Sequence, residues 1–320
     1  MKARGGRVFR NNYPSGWVRS SFWRWQRERW EQGLVFQRVA AVPDSSVAPD
    51  LGFILANRSE PALTWLGHSS FLVQCGGLNV LTDPMLSARA SPFAFLGPRR
   101  FLPPAIALAD LPRIDAVLVS HDHYDHLDAA SVRGLARQAG GPPRYLVPLG
   151  LAAWFRRRGM TTVEEFDWWH GTTLDGVRFT LTPVQHWSAR GLRDRNHSLW
   201  GGWRIDAPGT SVFFAGDTGY SRDFADIRDR LGPVDYALLP IGAYEPRWFM
   251  RVMHLDPDDA VQVHRDLEAR TSFAMHWGTF KLTDEPLDEP PRRLARALAA
   301  AGVPADRFRL VKCGATERLR

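Results

Sequence analysis

Three histidines and Asp125 fall within six consecutive residues, His121-Asp122-His123-Tyr124-Asp125-His126, directly after the apolar run IDAVLVS. Neutral imidazole and carboxylate are good donors for zinc, and a strong site needs several of them converging at about 2 Å on one ion. In a turn leaving a strand, residues two apart can face one ion while the next pair faces a second. Two metals about 3.5–4 Å apart would acidify a shared water and clamp a phosphoryl or carbonyl oxygen as charge develops on it. The chemistry implied is hydrolysis without a serine or cysteine nucleophile.

Four donors cannot close two tetrahedral shells, so others must come from a distance. His186 follows LTPVQ, Asp217 follows SVFFAG and His276 follows TSFAM, each where an apolar strand opens into a loop. A lone histidine in such a place is ordinarily packed or solvated. The same placement three times, after an HxHxDH cluster, argues for ligands. GxSxG and phosphate-cradling GxxxxGK motifs are absent, and neither cysteine lies near a histidine motif.

The elements that must position these donors are read from the apolar pattern. TWLGHSSFLVQ and LNVLTDP, separated by Cys75-Gly76-Gly77, predict a hairpin. The proline-rich stretch 91–112 predicts a loop, and DAASVRGLARQ a helix capped by Asp128. RYLVPLG, VRFTLTPVQHW, SVFFAGDTG, VDYALLPIG and TSFAMHWG are strands that run into polar or glycine-rich loops, and DPDDAVQVHRDL is a helix after proline. Strands outnumber helices and are partly hairpin-connected, which favours mixed sheets covered by helices over a doubly wound parallel fold. Residues 1–60 mix basic residues with Trp17, Trp23, Trp25 and Trp30 without a clean period, and predict an arm packed on a main domain of residues 61–320.

The 320 residues are 44% apolar and 23% charged, an ordinary globular composition that excludes general disorder. The formal charge of +7 suits a phosphate-bearing partner: nucleic acid, an anionic membrane surface or a phosphorylated small molecule. Cys75 and Cys313 alone make no disulfide framework. The first twenty residues lack the apolar core of a secretory signal and no run of eighteen apolar residues follows, so a cytoplasmic protein is expected.

HxHxDH followed by His186, Asp217 and His276 resembles the metallo-β-lactamase superfamily. Within it, WLGHSSFLVQ with LTDP, LGPRRFLPP, IDAVLVSHDHYDHLD, QHWSARG, DRNHSLWGGW, FFAGDTGY, LLPIGAYEPRWFM and MHWGTFKLTDEPLDEP are most similar to the N-acylphosphatidylethanolamine-hydrolysing phospholipase D group. These segments span Pro61 to Pro291. The resemblance implies a four-layer αββα sandwich with two zinc ions on one open edge. It assigns His121, His123 and His186 to one ion, Asp125, His126 and His276 to the other, and Asp217 with a hydroxide as the bridge; iron or manganese in place of zinc is left open. It also implies His68 and Asp83 as partners that orient the ligands, although Asp83 before Pro84 also reads as a turn former and His68 as a packed core histidine. His254 becomes a donor or proton shuttle near the phosphate, although it also reads as a packed residue at a helix entrance, and Trp187, Tyr244, Trp248 and Phe249 become the wall that accepts the apolar part of the substrate. His170, His197 and His264 are read as surface or structural residues.

The function expected is a zinc phosphodiesterase acting on N-acylphosphatidylethanolamine-like phospholipids or lipid-like phosphodiesters, with peripheral membrane contact. A lactonase or other carboxyl-ester or amide hydrolase is the alternative, since fold does not fix substrate. Nucleic-acid processing is the third reading; the scattered arginines and the lack of a recognition module speak against it. The oligomeric state is left open.

Overall fold

Strands apolar on both faces need cover on both. In the computed structural model, which describes residues 8–14, 21–34 and 39–319, that cover comes from stacking two sheets and flanking them with helices. The first sheet begins with β1 (Ala62–Gly67), β2 (Ser70–Cys75), β3 (Leu78–Thr82), β4 (Ala116–Leu118), β5 (Arg144–Pro148) and β6 (Val163–Phe166). The second contains β7 (Gly171–Leu174), β8 (Val177–Thr182), β9 (Gly202–Ala207), β10 (Thr210–Phe214), β11 (Tyr236–Pro240), β12 (Thr271–Met275) and β13 (Phe308–Arg309). The last strand, β14 (Thr316–Arg318), returns to the first sheet and pairs antiparallel with β1, Ala62 opposite Arg318. The strand orders are β14-β1-β2-β3-β4-β5-β6 and β13-β12-β11-β10-β9-β8-β7. Both sheets are mixed: β1 to β3 and β7 to β10 are antiparallel, whereas β3 to β6 and β10 to β13 are parallel.

The helices are α1 (Ser21–Glu31), α2 (Leu51–Ala56), α3 (Ala129–Leu135), α4 (Ala152–Arg156), α5 (Asp223–Leu231), α6 (Arg247–Met250), α7 (Pro257–Asp266) and α8 (Glu289–Ala301). The two-residue period of β2 divides the core: Phe71 and Val73 join Trp203 and Phe213 of the other sheet, while Leu72 packs with Ile54, Val132 and Phe155 of α2, α3 and α4. On the second sheet, α5, α7 and α8 contribute Phe224, Val263 and Leu294. This is the expected αββα sandwich.

Local chemistry sets the helix starts. The Asp128 carboxylate accepts from the amides of Ala130 and Ser131 at 3.1 and 3.2 Å, as its sequence position predicts. Asp256 does the same for Asp259 at 2.8 Å, with Pro257 at the first position of α7. Such caps contribute about 1 kcal/mol each.

The sequence reading is corrected in two places. TWLGHSSFLVQ is not one strand: it breaks at Gly67 and His68, both with positive φ, into β1 and β2, so His68 sits on a tight turn. Within residues 1–60, which lack a clean period, α1 and α2 form; Phe22, Trp25 and Arg29 make one face of α1, with Trp25 in contact with both others. Trp17 lies outside the described residues. Among those described, no helix is long and apolar enough to cross a membrane.

Candidate metal centre

Hydrogen bonds at the end of β4 decide where the lone pairs of the histidine turn point. Ser120 donates its amide to Asp83 Oδ1 at 2.7 Å and its hydroxyl to Asp83 Oδ2 at 2.5 Å. With that hydrogen spent, Ser120 Oγ accepts from His121 Nδ1 at 2.8 Å, which leaves the His121 lone pair on Nε2. His186 Nδ1 donates to the Met253 carbonyl at 2.9 Å and likewise leaves Nε2 bare. Both Nε2 atoms face His123 Nδ1, at 2.8 and 3.3 Å. Three nitrogens with at most one hydrogen among them converge on a point. Burial, reinforced by the neighbouring imidazoles, pushes the His121 pKa far down; burial also takes His123 to about 4 and, against the pull of Asp217, His186 to about 3. They are neutral donors.

A second group lies beside the first. His126 Nδ1 donates to Asp83 Oδ2 at 2.6 Å, and its Nε2, without a hydrogen-bond partner, lies 3.2 Å from Asp217 Oδ2 and 3.5 Å from Asp125 Oδ2. His276 Nε2, also without one, is 3.1 Å from Asp217 Oδ1 and 3.5 Å from Asp125 Oδ2. Burial alone would lower both imidazoles. The two carboxylates win, holding His126 well above the usual range and His276 at about 9. Two carboxylates this deeply buried demand positive charge, from imidazolium or from a cation held between them. Asp217 also lies 4.0 Å from His186 Nε2 and 3.7 Å from His254 Nδ1, so it stands between the two groups.

The donor atoms of His121, His123 and His186 lie within 4.8 Å of one another, and so do those of His68, Asp125, His126 and His276. Converging nitrogen and oxygen donors, several of them buried without a hydrogen-bond partner, fit transition-metal binding. His68 Nε2 lies 3.2 Å from Asp125 Oδ2, which suits an orienting partner and also places it inside the second donor set. His68, Asp83 and His276 all have positive φ, at 54°, 30° and 60°. That conformation costs a non-glycine residue about 1 kcal/mol or more and persists where surrounding structure imposes it. Gly216, before Asp217, has φ 62°; a Cβ there would lie 2.5 Å from that of Ser120, so glycine lets the end of β10 close on the histidine turn.

A cavity of about 800 Å³ opens over this cluster, reaching His123, Asp125, Asp217 and His254. Trp187, in edge contact with His123 at 4.3 Å, and Phe249 line it. Tyr244 and Trp248 do not: Tyr244 is buried with Arg293 over its ring, and Trp248 is exposed beneath Arg24. His170 and His197 are exposed, and His264 is buried, bonded to Ser272 at 2.8 Å.

Sequence reasoning missed several contributors. Asn11 Nδ2 donates to the His186 carbonyl at 3.1 Å, while its Oδ1 accepts from the His186 amide at 3.2 Å and from Trp200 Nε1 at 3.0 Å. Phe22, Trp23 and Trp25 of α1 complete one cavity wall with Met250 and Met253. Trp25 packs on Phe249 with centroids 5.3 Å apart and donates to Asp284 at 2.6 Å; Arg29 pairs with the same carboxylate at 2.8 Å. Replacing Asp284 by Ala is expected to loosen α1 and raise KM severalfold for a long-chain substrate, with kcat on a small soluble substrate held within about twofold. Equal effects on both in steady-state kinetics would show that α1 is no part of the cavity wall.

The β-lactamase superfamily domain matches residues 78–277. The chain is 43% identical over 248 residues to N-acyl-phosphatidylethanolamine-hydrolyzing phospholipase D 1 of Caenorhabditis elegans, covering 74% of this chain and 69% of that protein. It is 36% identical to the mitochondrial N-acyl-phosphatidylethanolamine-hydrolyzing phospholipase D of Saccharomyces cerevisiae, covering 79% of this chain and 55% of the yeast protein. In structure it is similar to a metallo hydrolase of the archaeon Ignicoccus hospitalis, with a TM-score of 0.61 at 22% identity over 82% of this chain and 99% of the other.

Proposed function

Because the chain belongs to the metallo-β-lactamase superfamily, in its N-acylphosphatidylethanolamine-hydrolysing phospholipase D-like group, and is thus a metal-dependent hydrolase, we propose that it cleaves N-acylphosphatidylethanolamine-like phospholipids or lipid-like phosphodiesters with two zinc ions. The observation that carries this reading is the placement of the donor cluster at the base of a cavity lined by tryptophan, phenylalanine and methionine. A small polar substrate needs no such wall.

His121, His123 and His186 would hold one ion, Asp125, His126 and His276 the other, with Asp217 between them. When bound, the ions supply an acidified water and positive charge beside the phosphoryl oxygens. The chain does the rest. Asp125 reaches the cavity and can orient the attacking water through its carboxylate. Neutral His254 carries one N–H and one bare nitrogen: it can donate the N–H to a phosphoryl oxygen, and it can pass a proton to the departing alcohol only while its other nitrogen takes up the proton that the attacking water loses. Burial, outweighing Asp217, keeps His254 low, at about 3. Trp187, Phe249, Met250 and Met253 exclude water and take the apolar portion. Trp23 and the fully exposed Leu192, both at this cavity, suit contact with a lipid surface.

Hydrolysis in ¹⁸O-labelled water tests the reading: a new P–O bond forms, the P–O bond to the alcohol breaks, and label is expected on the phosphate product. Label in the alcohol would mean attack at carbon and remove the phosphoryl reading, whereas label in a released carboxylate, or rapid lactone turnover with phosphodiesters untouched, would instead support a carboxyl-ester hydrolase.

A further inference from the structure

Across the Gly191 turn from the catalytic cavity lies a second concavity of about 700 Å³, which shares that glycine with it. Its wall carries four guanidinium groups, those of Arg89, Arg133, Arg158 and Arg190. Asp128 and Asp194 also line it and offset part of that charge, while their oxygens are bonded within the fold. Asp128 caps α3 and accepts the hydroxyls of Ser87 and Ser131 at 2.6 and 2.5 Å. Asp194 accepts the amides of Arg190 and Gly191 at 3.2 and 2.8 Å.

Three of the four arginines bond carbonyls: Arg89 that of Gly97, Arg158 that of Trp154, and Arg190 those of Asp122 and Leu127. Stacking orients two of them. Arg158 lies 3.9 Å and Arg190 5.1 Å from the Trp154 ring centre, and Arg190 lies 4.0 Å from that of Tyr124. Four guanidiniums against two carboxylates leave the hollow net positive, which favours an entering anion. The planar fork of arginine suits phosphate oxygens. Phe93 lies on the same wall and is half exposed, followed by the still more exposed Phe95 and Leu96. An anion attached to an apolar body therefore fits best.

We propose that this hollow is an accessory site for a phosphate mono- or diester, in which Arg133 and Arg158 engage the anion while Trp154 and Phe93 contact the group that carries it. The site is separate from the metal donors and is tested by binding alone. Wild-type protein, Arg133→Ala/Arg158→Ala, and a control with the same loss of charge on α8, Arg292→Ala/Arg296→Ala, are compared by calorimetry with inorganic phosphate and by cosedimentation with phosphatidylglycerol and phosphatidylcholine vesicles.

Loss of the two guanidiniums should weaken phosphatidylglycerol binding about tenfold or more, with the control unaffected. Weakened vesicle binding without weakened phosphate binding identifies a lipid headgroup as the ligand; the reverse identifies free phosphate. Because Arg133 and Arg158 are exposed, a melting curve should show the fold intact, and Arg133→Lys/Arg158→Lys, which keeps charge without the planar stack, should fall between. Equal losses in the pocket variant and the control, or no loss in either, overturn the proposal.

Discussion

Asp217→Asn is expected to lower kcat/KM by about a thousandfold, equivalent to about 4 kcal/mol of barrier, and to reduce the metal content of the purified protein. The substitution keeps the side-chain shape and removes the charge. In the native chain Asp217 Oδ1 faces His276 and Oδ2 faces His126, and the carboxylate also lies within 4.0 Å of His186 and 3.7 Å of His254. An asparagine amide nitrogen would turn an N–H toward one of those lone-pair groups. On the proposed reading the metal centre would then lose an oxygen donor, and the neutral oxygen left behind would offset less positive charge. His170→Ala and His197→Ala, at exposed positions, should leave both measurements nearly unchanged. Equal losses in all three variants, or full metal content in Asp217→Asn, would remove Asp217 from the centre.

Asp83→Asn should weaken metal binding about 10- to 100-fold, in the range seen when an outer partner of a metal ligand is removed. Asp83 is completely buried and accepts three hydrogens: the Ser120 amide, the Ser120 hydroxyl and His126 Nδ1–H. Burial raises its pKa, but the donors of His126 and Ser120 oppose that rise and favour the carboxylate. Asparagine has one accepting oxygen and would present an NH₂ to groups that also donate. The His126 proton would be driven from Nδ1 toward Nε2, occupying the lone pair that faces Asp217. Ser120→Ala should cost less, because His126 keeps its acceptor. Competition with a chelator on folded protein measures the effect. A lower melting temperature with unchanged metal affinity would reduce Asp83 to a turn former before Pro84.

The donors were legible because they lie where apolar strands stop, and strand ends can be read from composition. The sheets were legible for the same reason. Sequence proximity misled at Trp248, next to Phe249 and six residues before His254. Successive residues on a helix differ by about 100° in direction, so α6 turns Phe249 into the cavity and Trp248 out to Arg24. The face of α1 formed by Phe22, Trp25 and Arg29 carries a helical spacing, but the arginines between its aromatics mask the period. Asn11 offered no signal at all: its partner His186 is 175 residues away, and nothing local distinguishes it from any surface asparagine.

The pairing of β1 with β14 bears on how the chain acquires its shape. A polypeptide leaving the ribosome exposes residues 62–67 long before residues 316–318 exist, and until then β1 has one open edge. Every residue of β1 is buried in the finished sheet and all but Thr64 lack a polar side chain, so the waiting edge is largely apolar as well as unpaired, the kind that recruits other strands. The hold that Asn11 takes on His186 must also wait for more than half of the chain to be made. Long-range closure of this kind slows folding and lengthens the time spent open to aggregation. Protein produced slowly, at low temperature or with a chaperone that shields strand edges, should therefore be recovered in higher soluble yield than protein produced fast.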